Sequence, residues 1–170
     1  MVPMELIGVK VQMPANSPIV VLREESGQHR ILPIFIGGSE AQAIAYALEG
    51  VEPPRPMTHD LLKIMLEELG ATVHQIQVTE LRDGTFYSEI TISHAGTTSS
   101  VSARPSDAIA LAARLGTPIF ASEDVLDEAG HVEEDNDEGD ESGESGDDPD
   151  EMVAEFREFI DNVNPDDFAS

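Results

Sequence analysis

The chain has 170 residues and a formal net charge of −25, with 40% hydrophobic residues and no cysteine. This length suffices for one well-buried core and is short for two. The charge repels nucleic acids and anionic membranes at long range, so binding to either has to overcome that field. The lack of cysteine excludes disulfides, thiolate metal sites and a cysteine nucleophile.

The negative charge is concentrated near the C-terminus. Residues 1–130 carry 17 acidic and 8 basic groups, about −9, whereas residues 131–170 carry 17 and 1, about −16. The segment 131–150 alone contains 11 acidic residues, a composition that cannot repay the entropy cost of ordering. We therefore predict a domain over 1–130, a disordered acidic linker over 131–150, and a separate segment over 151–170.

The segment after the acidic linker is amphipathic. Its apolar residues recur at the spacing of one helix face: Met152, Val153, Phe156, Phe159, Ile160 and Val163. A lone helix of about 12 residues is marginal in water, so this stripe needs a surface. We predict that residues 151–163 form a helix that docks on its own domain, on a neighbouring subunit or on a protein partner.

Targeting and membrane signals are missing from the pattern. The first 11 residues lack a basic region followed by a long apolar run, which predicts that there is no signal peptide. No stretch approaches the roughly 20 apolar residues of a membrane span. We expect a cytoplasmic protein.

Three strands are predicted in the first third of the chain. Alternation indicates a strand over Met4–Val11, and short apolar runs indicate two more at Ile19–Leu22 and Ile31–Ile36. Gly27 lies in a polar stretch that is typical of a hairpin loop. Because proline cannot donate to a strand ladder, Pro33 places the third strand at a sheet edge or at a bulge.

Two helices are predicted next. Ser39 and Gln42 indicate a capping box at the start of a helix that ends at Gly50. Thr58 is predicted to N-cap the second helix, which Gly70 ends. The apolar positions of the second helix are Leu61, Leu62, Met65, Leu66 and Leu69.

The remainder of the domain follows a similar plan. Strands are predicted at Thr72–Leu81 and at 86–93, then, after a turn over 94–97, in a segment that ends at Ala103 and, more briefly, at 118–121. A third helix, N-capped by Ser106, should end at Gly116. Arg55-Pro56 before the second helix is echoed by Arg104-Pro105 before the third, which indicates an internal duplication.

Four blocks of the sequence resemble the bifunctional nuclease domain family, in the order in which that family has them. They are Leu32-Pro33-Ile34 through Ile36-Gly37 with Glu40-Ala41, then Arg55–Leu62, Asp83–Tyr87 and Ala103–Leu111; with Pro118-Ile119-Phe120 they cover about residues 4–130. The resemblance implies an α+β fold with a largely antiparallel, strongly bent sheet packed around helices. It also implies hydrolysis of both DNA and RNA.

The residues offer one set of candidates for that chemistry. Phosphodiester hydrolysis needs an activated water, help for the leaving oxygen and positive charge near the transition state. Helix N-termini favour phosphate, so the starts of the second and third helices are suitable positions. The candidate catalytic residues are Arg55, His59, Asp60, Arg104 and Asp107. The arginines would clamp a phosphate, His59 would move a proton, and Asp60 and Asp107 would hold Mg²⁺ or Mn²⁺.

A structural interpretation of the same residues is equally open. Acidic residues in the first turn of a helix interact favourably with the helix dipole, which accounts for Asp60 and Asp107 without any metal. Arg55 and Arg104 could tie loops to backbone carbonyls. Glu40 occupies a similar first-turn position in the first helix.

Tyr87 and Glu89 are the candidate substrate-binding residues. They alternate with Phe86 and Ile90 and therefore share the other face of their strand. If that face lines a groove, the two side chains would contact substrate; if it faces solvent, they are surface residues.

Two functions are compatible with these patterns. The first is a metal-assisted nuclease that acts on DNA and RNA with little sequence preference. The second is a non-catalytic regulatory or protein-interaction module, with residues 151–163 binding a partner; a homo-oligomer is compatible with both. A groove containing Arg55, Arg104 and carboxylates would favour the enzyme, and an exposed apolar patch would favour the module.

Overall fold

The structure is a computed structural model that describes residues 1–12 and 14–132; the predicted acidic linker and C-terminal helix lie outside the described residues, apart from His131 and Val132. The described residues form seven strands and four helices. The strands are β1 (Val2–Gln12), β2 (Ser17–Glu24), β3 (Ile31–Phe35), β4 (Thr72–Arg82), β5 (Thr85–His94), β6 (Thr97–Ala103) and β7 (Ile119–Ala121). The helices are α1 (Gly38–Leu48), α2 (Thr58–Glu68), α3 (Pro105–Leu115) and α4 (Glu123–Ala129).

All seven strands belong to one sheet, in the order β3-β2-β1-β7-β4-β5-β6. Two antiparallel three-stranded meanders, β1–β3 and β4–β6, are joined by β7, which pairs antiparallel with β1 and parallel with β4. Ile119 of β7 lies opposite both Met4 and Ile76. This arrangement confirms the predicted α+β class and the largely antiparallel sheet.

Local backbone chemistry explains the edge and the hairpins. Pro33 lies in β3, an outermost strand of the sheet, as its missing N–H requires. Asp83 and Gly84 both have positive φ, 51° and 73°, between β4 and β5. That combination matches the type I′ turn, whose twist suits a two-residue hairpin.

The core lies between the sheet and the helices. Ile44 of α1 and Ile109 of α3 are fully buried against Ile76 and Val78 of the sheet. Alanines along α3 are also buried, and their small size allows the helix to pack closely on its neighbours. α1 and α3 contact each other, which brings their first turns to the same region of the domain.

The predicted cap of α2 is wrong. Met57 occupies the N-cap position with extended backbone, and Thr58 is already the first helical residue. A carboxylate inside the helix replaces the predicted hydroxyl, since the Met57 N–H donates to Asp60 Oδ2 at 2.9 Å. The helix therefore starts one residue earlier than the sequence pattern indicated.

The predicted caps of α1 and α3 are also wrong. Gly37 is the N-cap of α1, and the hydroxyl of Ser39 donates to Glu40 rather than closing a box with Gln42. Arg104 is the N-cap of α3, while Ser106 is a buried residue of its first turn. Pro105 takes the first helical position, where its fixed φ and missing N–H are no disadvantage.

The predicted duplication pairs the wrong helices. In the structure, the repeated unit is a three-stranded meander followed by a helix, β1–β3 with α1 and β4–β6 with α3. Arg55-Pro56 follows helix α1 and a loop, not a strand, so its resemblance to Arg104-Pro105 does not mark equivalent positions.

None of the helices in the described part of the chain is long and apolar enough to cross a membrane.

Candidate functional site

Each of the three larger helices carries a carboxylate in the same place, three residues after its N-cap. These carboxylates are Glu40 in α1, Asp60 in α2 and Asp107 in α3. At this position, a carboxylate can accept from backbone N–H groups of the first turn and interacts favourably with the helix dipole. Two arginines, Arg104 and Arg114, pair with all three.

Arg104 joins the starts of α1 and α3. Its Nη2 donates to Glu40 Oε1 at 3.0 Å and to Asp107 Oδ1 at 3.1 Å, and its Nε donates to Asp107 Oδ2 at 2.8 Å. The bidentate contact with Asp107 fixes the plane of the guanidinium. The Arg104 side chain nevertheless stays 66% exposed, so it can contact a ligand while it remains paired.

His59 extends this network into α2. Its Nε2 lies 3.1 Å from Asp107 Oδ1, and its side chain is only 11% exposed. Asp107 thus contacts an arginine and a histidine at once. Burial alone would raise the pKa of Asp107, but hydrogen bonds from Arg104 and His59 outweigh it and hold that pKa below the ordinary value of 3.8. The carboxylate is therefore ionised at neutral pH and orients the imidazole ring.

Gly37 makes room for the carboxylate of Glu40. A Cβ atom at Gly37 would lie 2.2 Å from Glu40 Oε2, closer than any real contact. Burial raises the pKa of Glu40, but its own backbone N–H, Ser39 and Arg104 lower the pKa below the ordinary value of 4.5. Glu40 is thus a charged partner of Arg104, a role that its position in the first turn did not reveal.

Asp60 belongs to a second, more buried pair. Arg114 donates through Nε to Asp60 Oδ1 and through Nη1 to the carbonyls of Ala43 and Ala110, both at 2.9 Å. Asp60 Oδ2 accepts from the backbone of Met57. Because these contacts join α1, α2 and α3 and use both oxygens of Asp60, its evident role is to hold the helices together.

The predicted metal ligands fit an ion poorly. Asp60 is engaged as just described, and both oxygens of Asp107 contact Arg104. Within residues 1–12 and 14–132, no group of three or more His, Asp or Glu side chains is arranged to hold a metal ion. Arg104 and Arg114 are the cations that contact these two carboxylates in the part of the chain that the structure describes.

Arg55 is not part of the network. It is exposed in the loop between α1 and α2 and makes no hydrogen bond or ion pair with any residue in the described part of the chain. The structure thus places four of the predicted catalytic residues in two arginine–carboxylate pairs and leaves Arg55 apart, without a charged partner among the described residues.

Tyr87 and Glu89 lie away from this site. Their neighbours Ser88 and Ile90 are buried toward the core, so Tyr87 and Glu89 point to the opposite face of the sheet. Arg82 lies 4.6 Å from the centre of the Tyr87 ring, and Glu89 accepts from Ser100 Oγ at 2.7 Å. Neither Tyr87 nor Glu89 lines the cavity next to Arg104.

A cavity of about 580 Å³ borders the network. Its walls are the end of β3, the first residues of α1 and α3, and the hairpin after β4. We call this cavity the groove; it is lined in particular by Phe35, Gly37, Gly38, Arg104 and Ser106. Phe35 exposes 63% of its surface, which leaves its ring free to stack on a planar ligand.

Two helix N-termini therefore meet at one groove that also contains an exposed arginine. N-terminal N–H groups and the helix dipole favour anions, and the exposed Arg104 adds a guanidinium whose charge Glu40 and Asp107 already balance. The sequence contained a signal for this feature: Gly37-Gly38 between a strand and a helix permits close approach of a ligand to the backbone. Phe35 and Arg114 carried no comparable signal.

The chain is similar to one protein-family model and to several bacterial and plant proteins. Residues 20–134 match the family model described as Bifunctional nuclease domain. The chain is 44% identical to an uncharacterized protein of Mycobacterium tuberculosis H37Rv over 164 residues, covering 96% of this chain and 95% of that protein. It is 32% identical over 103 residues to Bifunctional nuclease 1 of Oryza sativa subsp. indica, covering 59% of this chain and 31% of the rice protein. It is 31% identical over 108 residues to Bifunctional nuclease 1 of Arabidopsis thaliana, covering 62% of this chain and 33% of that protein.

Proposed function

Because the chain belongs to the bifunctional nuclease domain family, we propose that it hydrolyses phosphodiester bonds of DNA and RNA with little sequence preference. The observation that carries the proposal is the Arg104–Asp107–His59 network at the edge of the groove. It combines an exposed guanidinium and an imidazole ring that both contact one ionised carboxylate. The names of the rice and Arabidopsis relatives, which share the domain, support the same reaction class.

In this proposal, the groove binds the nucleic acid backbone. A phosphate interacts with Arg104 and with the N-termini of α1 and α3, while Phe35 stacks on a neighbouring base. Stacking and phosphate contacts carry little sequence information, because every base has a π-face and every nucleotide has a phosphate. Weak sequence preference and activity on both DNA and RNA follow from such contacts.

His59 is the group that moves a proton. Its imidazole can take a proton from the attacking water or give one to the leaving oxygen. Asp107 orients the ring, and Arg104 stabilises the negative charge that builds on the phosphate oxygens.

The requirement for Mg²⁺ or Mn²⁺ remains a proposal. A domain with a charge of about −9 gains from any cation that helps it to hold a polyanion. Since Asp60 and Asp107 are both paired with arginines, we assign no step of the reaction to a metal ion.

The test is a hydrolysis assay with quenched fluorescent single-stranded DNA and RNA on the full chain, with and without EDTA. His59→Gln should lower kcat by about 10²-fold or more, as expected for loss of an acid–base group. Arg104→Ala should also lower kcat, because the negative charge on the phosphate oxygens in the transition state would no longer be stabilised by the guanidinium. Arg82→Ala is the matched control, since this exposed arginine is also paired with a carboxylate but lies beside Tyr87 on the other face of the sheet.

Two results would contradict the proposal. One is activity that separates from the protein on further chromatography. The other is equal hydrolysis by the wild type, His59→Gln and Arg104→Ala. Loss of activity in EDTA, restored by Mg²⁺ or Mn²⁺, would support the metal requirement, and full activity in EDTA would remove it.

A second function, a protein-interaction module, is favoured by one observation. Helix α2 exposes several large apolar side chains, which is unusual for a monomeric domain. No residue of α2 lines the groove, so this surface and the groove do not share residues.

A further inference from the structure

Helix α2 turns its polar side toward the domain and its apolar side outward, the reverse of a usual surface helix. The residues it turns toward the domain are largely polar: His59 is buried, and Asp60 and Lys63 contact α3. Leu66 is the apolar residue of this inner side that packs against the core. Ordinarily the apolar stripe of a surface helix faces the core and the charged residues face water.

The opposite side of α2 is apolar and exposed. Its large side chains are between 38% and 63% exposed, and they are Leu61, Leu62, Ile64, Met65 and Leu69. We call these five residues the outer face of α2. Their spacing places Leu61, Met65 and Leu69 in one row along the helix, with Leu62 and Ile64 on either side.

This surface has the size and composition of an interface. At these exposures, the five side chains present on the order of 400 Å² of apolar area, near the apolar share of the roughly 800 Å² that each partner contributes to a standard interface. Lys63 and Glu67 line a cavity between α2 and the end of α1, and Ile64 at the edge of the outer face lines it too. Glu68 lies between Ile64 and Leu61 on the helix surface, so the outer face includes one carboxylate per copy, which has to keep its contact with water at the interface.

We propose that the outer face of α2 is where two copies of this chain associate about a two-fold axis. A two-fold contact requires that a surface be complementary to itself. In an antiparallel pair of α2 helices centred on Met65, Leu61 of one copy faces Leu69 of the other, because both lie four residues from the centre. The row is thus self-complementary by its spacing. The proposal does not depend on the proposed hydrolysis.

Sedimentation equilibrium of the full chain tests this association. At about 0.15 M salt, where the screening length is near 8 Å and repulsion between the acidic chains is damped, the wild type should have twice the chain mass of 18.3 kDa. Met65→Glu should weaken dimerisation by roughly tenfold or more, because it places a charge at the centre of the contact. Val101→Glu is the control: Val101 is 45% exposed, close to the 51% of Met65, but lies in β6. Far-UV circular dichroism and a urea midpoint verify that both variants are folded.

Cross-linking gives a second, independent readout. The chain has no cysteine, so Met65→Cys introduces a single thiol. Two such thiols near a two-fold axis lie within disulfide distance, and mild oxidation should give a covalent dimer. Val101→Cys should remain monomeric on a denaturing gel under the same oxidation.

The proposal would be overturned by any of three results. A wild type that sediments as a monomer over the whole concentration range would exclude self-association. A Met65→Glu variant that dimerises as strongly as the wild type would place the interface elsewhere. Protection of the Met65 thioether from peroxide oxidation in a monomer would show that something other than a second copy covers the outer face.

Discussion

At the scale of single residues, buried arginines account for much of the architecture. Arg30 is 9% exposed and donates to Glu24, Glu123 and Asp127 at 2.7–2.9 Å. These contacts connect the β2–β3 hairpin to α4. The hydrogen bonds that Arg30 donates to Glu24 lower the pKa of Glu24 and raise the pKa of Arg30.

Replacing Arg30 should be far more costly than replacing its neighbour in the same hairpin. Arg30→Ala leaves the buried Glu24 charge without a partner, a change that typically costs about 3–5 kcal/mol of unfolding free energy. Arg23 forms a single exposed pair with Glu5, so Arg23→Ala should cost about 1 kcal/mol or less. Urea unfolding of the two variants measures the difference. Similar losses of unfolding free energy in the two variants would show that Arg30 does not stabilise the fold by pairing with Glu24.

The residue scale also shows where sequence reasoning succeeded and where it stopped. Asp107 and Arg104 are three positions apart, so their pairing is visible in the local sequence. The partners His59–Asp107 and Asp60–Arg114 are 48 and 54 positions apart, and no local pattern contains them. The sequence therefore showed the Arg104–Asp107 pair but not Arg114, the arginine that neutralises Asp60 and weakens the case for a metal there.

At the scale of elements, helix existence was predictable and helix starts were not. Periodic apolar residues predicted α1, α2 and α3, but the N-cap residues are Gly37, Met57 and Arg104 rather than residues chosen for their hydroxyl groups. The same periodicity identified the apolar side of α2 and gave no indication that it faces outward, because burial depends on which neighbours pack against it. Pro33 was informative because its constraint is covalent.

The start of α1 offers a direct test of how a helix terminus supports the groove. Gly37→Ala should displace Glu40, since the new Cβ would lie 2.2 Å from Glu40 Oε2, and it also places alanine at an N-cap where glycine is preferred. We expect a loss of about 1 kcal/mol or more. Gly38→Ala is the control, because nothing lies within 4 Å of its Cβ and alanine is favoured in a helix by up to about 1 kcal/mol. Thermal or urea unfolding of the pair gives the sign of each change, and a stabilised Gly37→Ala would refute the clash.

At the scale of the whole molecule, several carboxylates make the fold sensitive to acid. The pKa values of Glu24, Glu40, Asp60 and Asp107 all lie below the ordinary values of 4.5 for Glu and 3.8 for Asp. As the pH falls, the unfolded chain therefore binds protons before the folded chain does. The stability that these groups contribute is fully present above pH 4.5 and declines below it.

Because these carboxyl pKa values are lowered in the folded state, the domain should lose stability in acid. We expect a nearly constant unfolding free energy between neutral pH and about pH 5, and a steady decrease below it, as measured by urea titrations at a series of pH values. A Glu24→Gln/Arg30→Met double variant should lose part of this decrease, because it removes one of the depressed carboxyl groups. A free energy that rises on acidification from pH 5 to pH 3 would contradict the assignment.

The acidic C-terminal residues should weaken nucleic acid binding through charge alone. Residues 133–170 contain 17 acidic and one basic residue, so a chain ending at Val132 changes from −25 to about −9. We expect this shorter chain to bind single-stranded DNA and RNA more tightly in fluorescence anisotropy. The difference should shrink at high salt, where charges are screened. Equal or weaker binding by the shorter chain at low salt would refute the expectation.

The position of β7 constrains the order in which the domain can be completed. Its three residues, Ile119–Ala121, fill the gap between β1 and β4, so the two meanders share no sheet until the last strand arrives. During synthesis at the ribosome, each meander can form from local contacts. The edges of β1 and β4 then stay unpaired until β7, which ends at residue 121, has been synthesised. Because Val2 pairs with Ala121, this closing step also ties the N-terminal strand to the far end of the domain. A chain released before residue 119 would consist of two half-sheets with unpaired central edges, a species prone to aggregation rather than a smaller working protein.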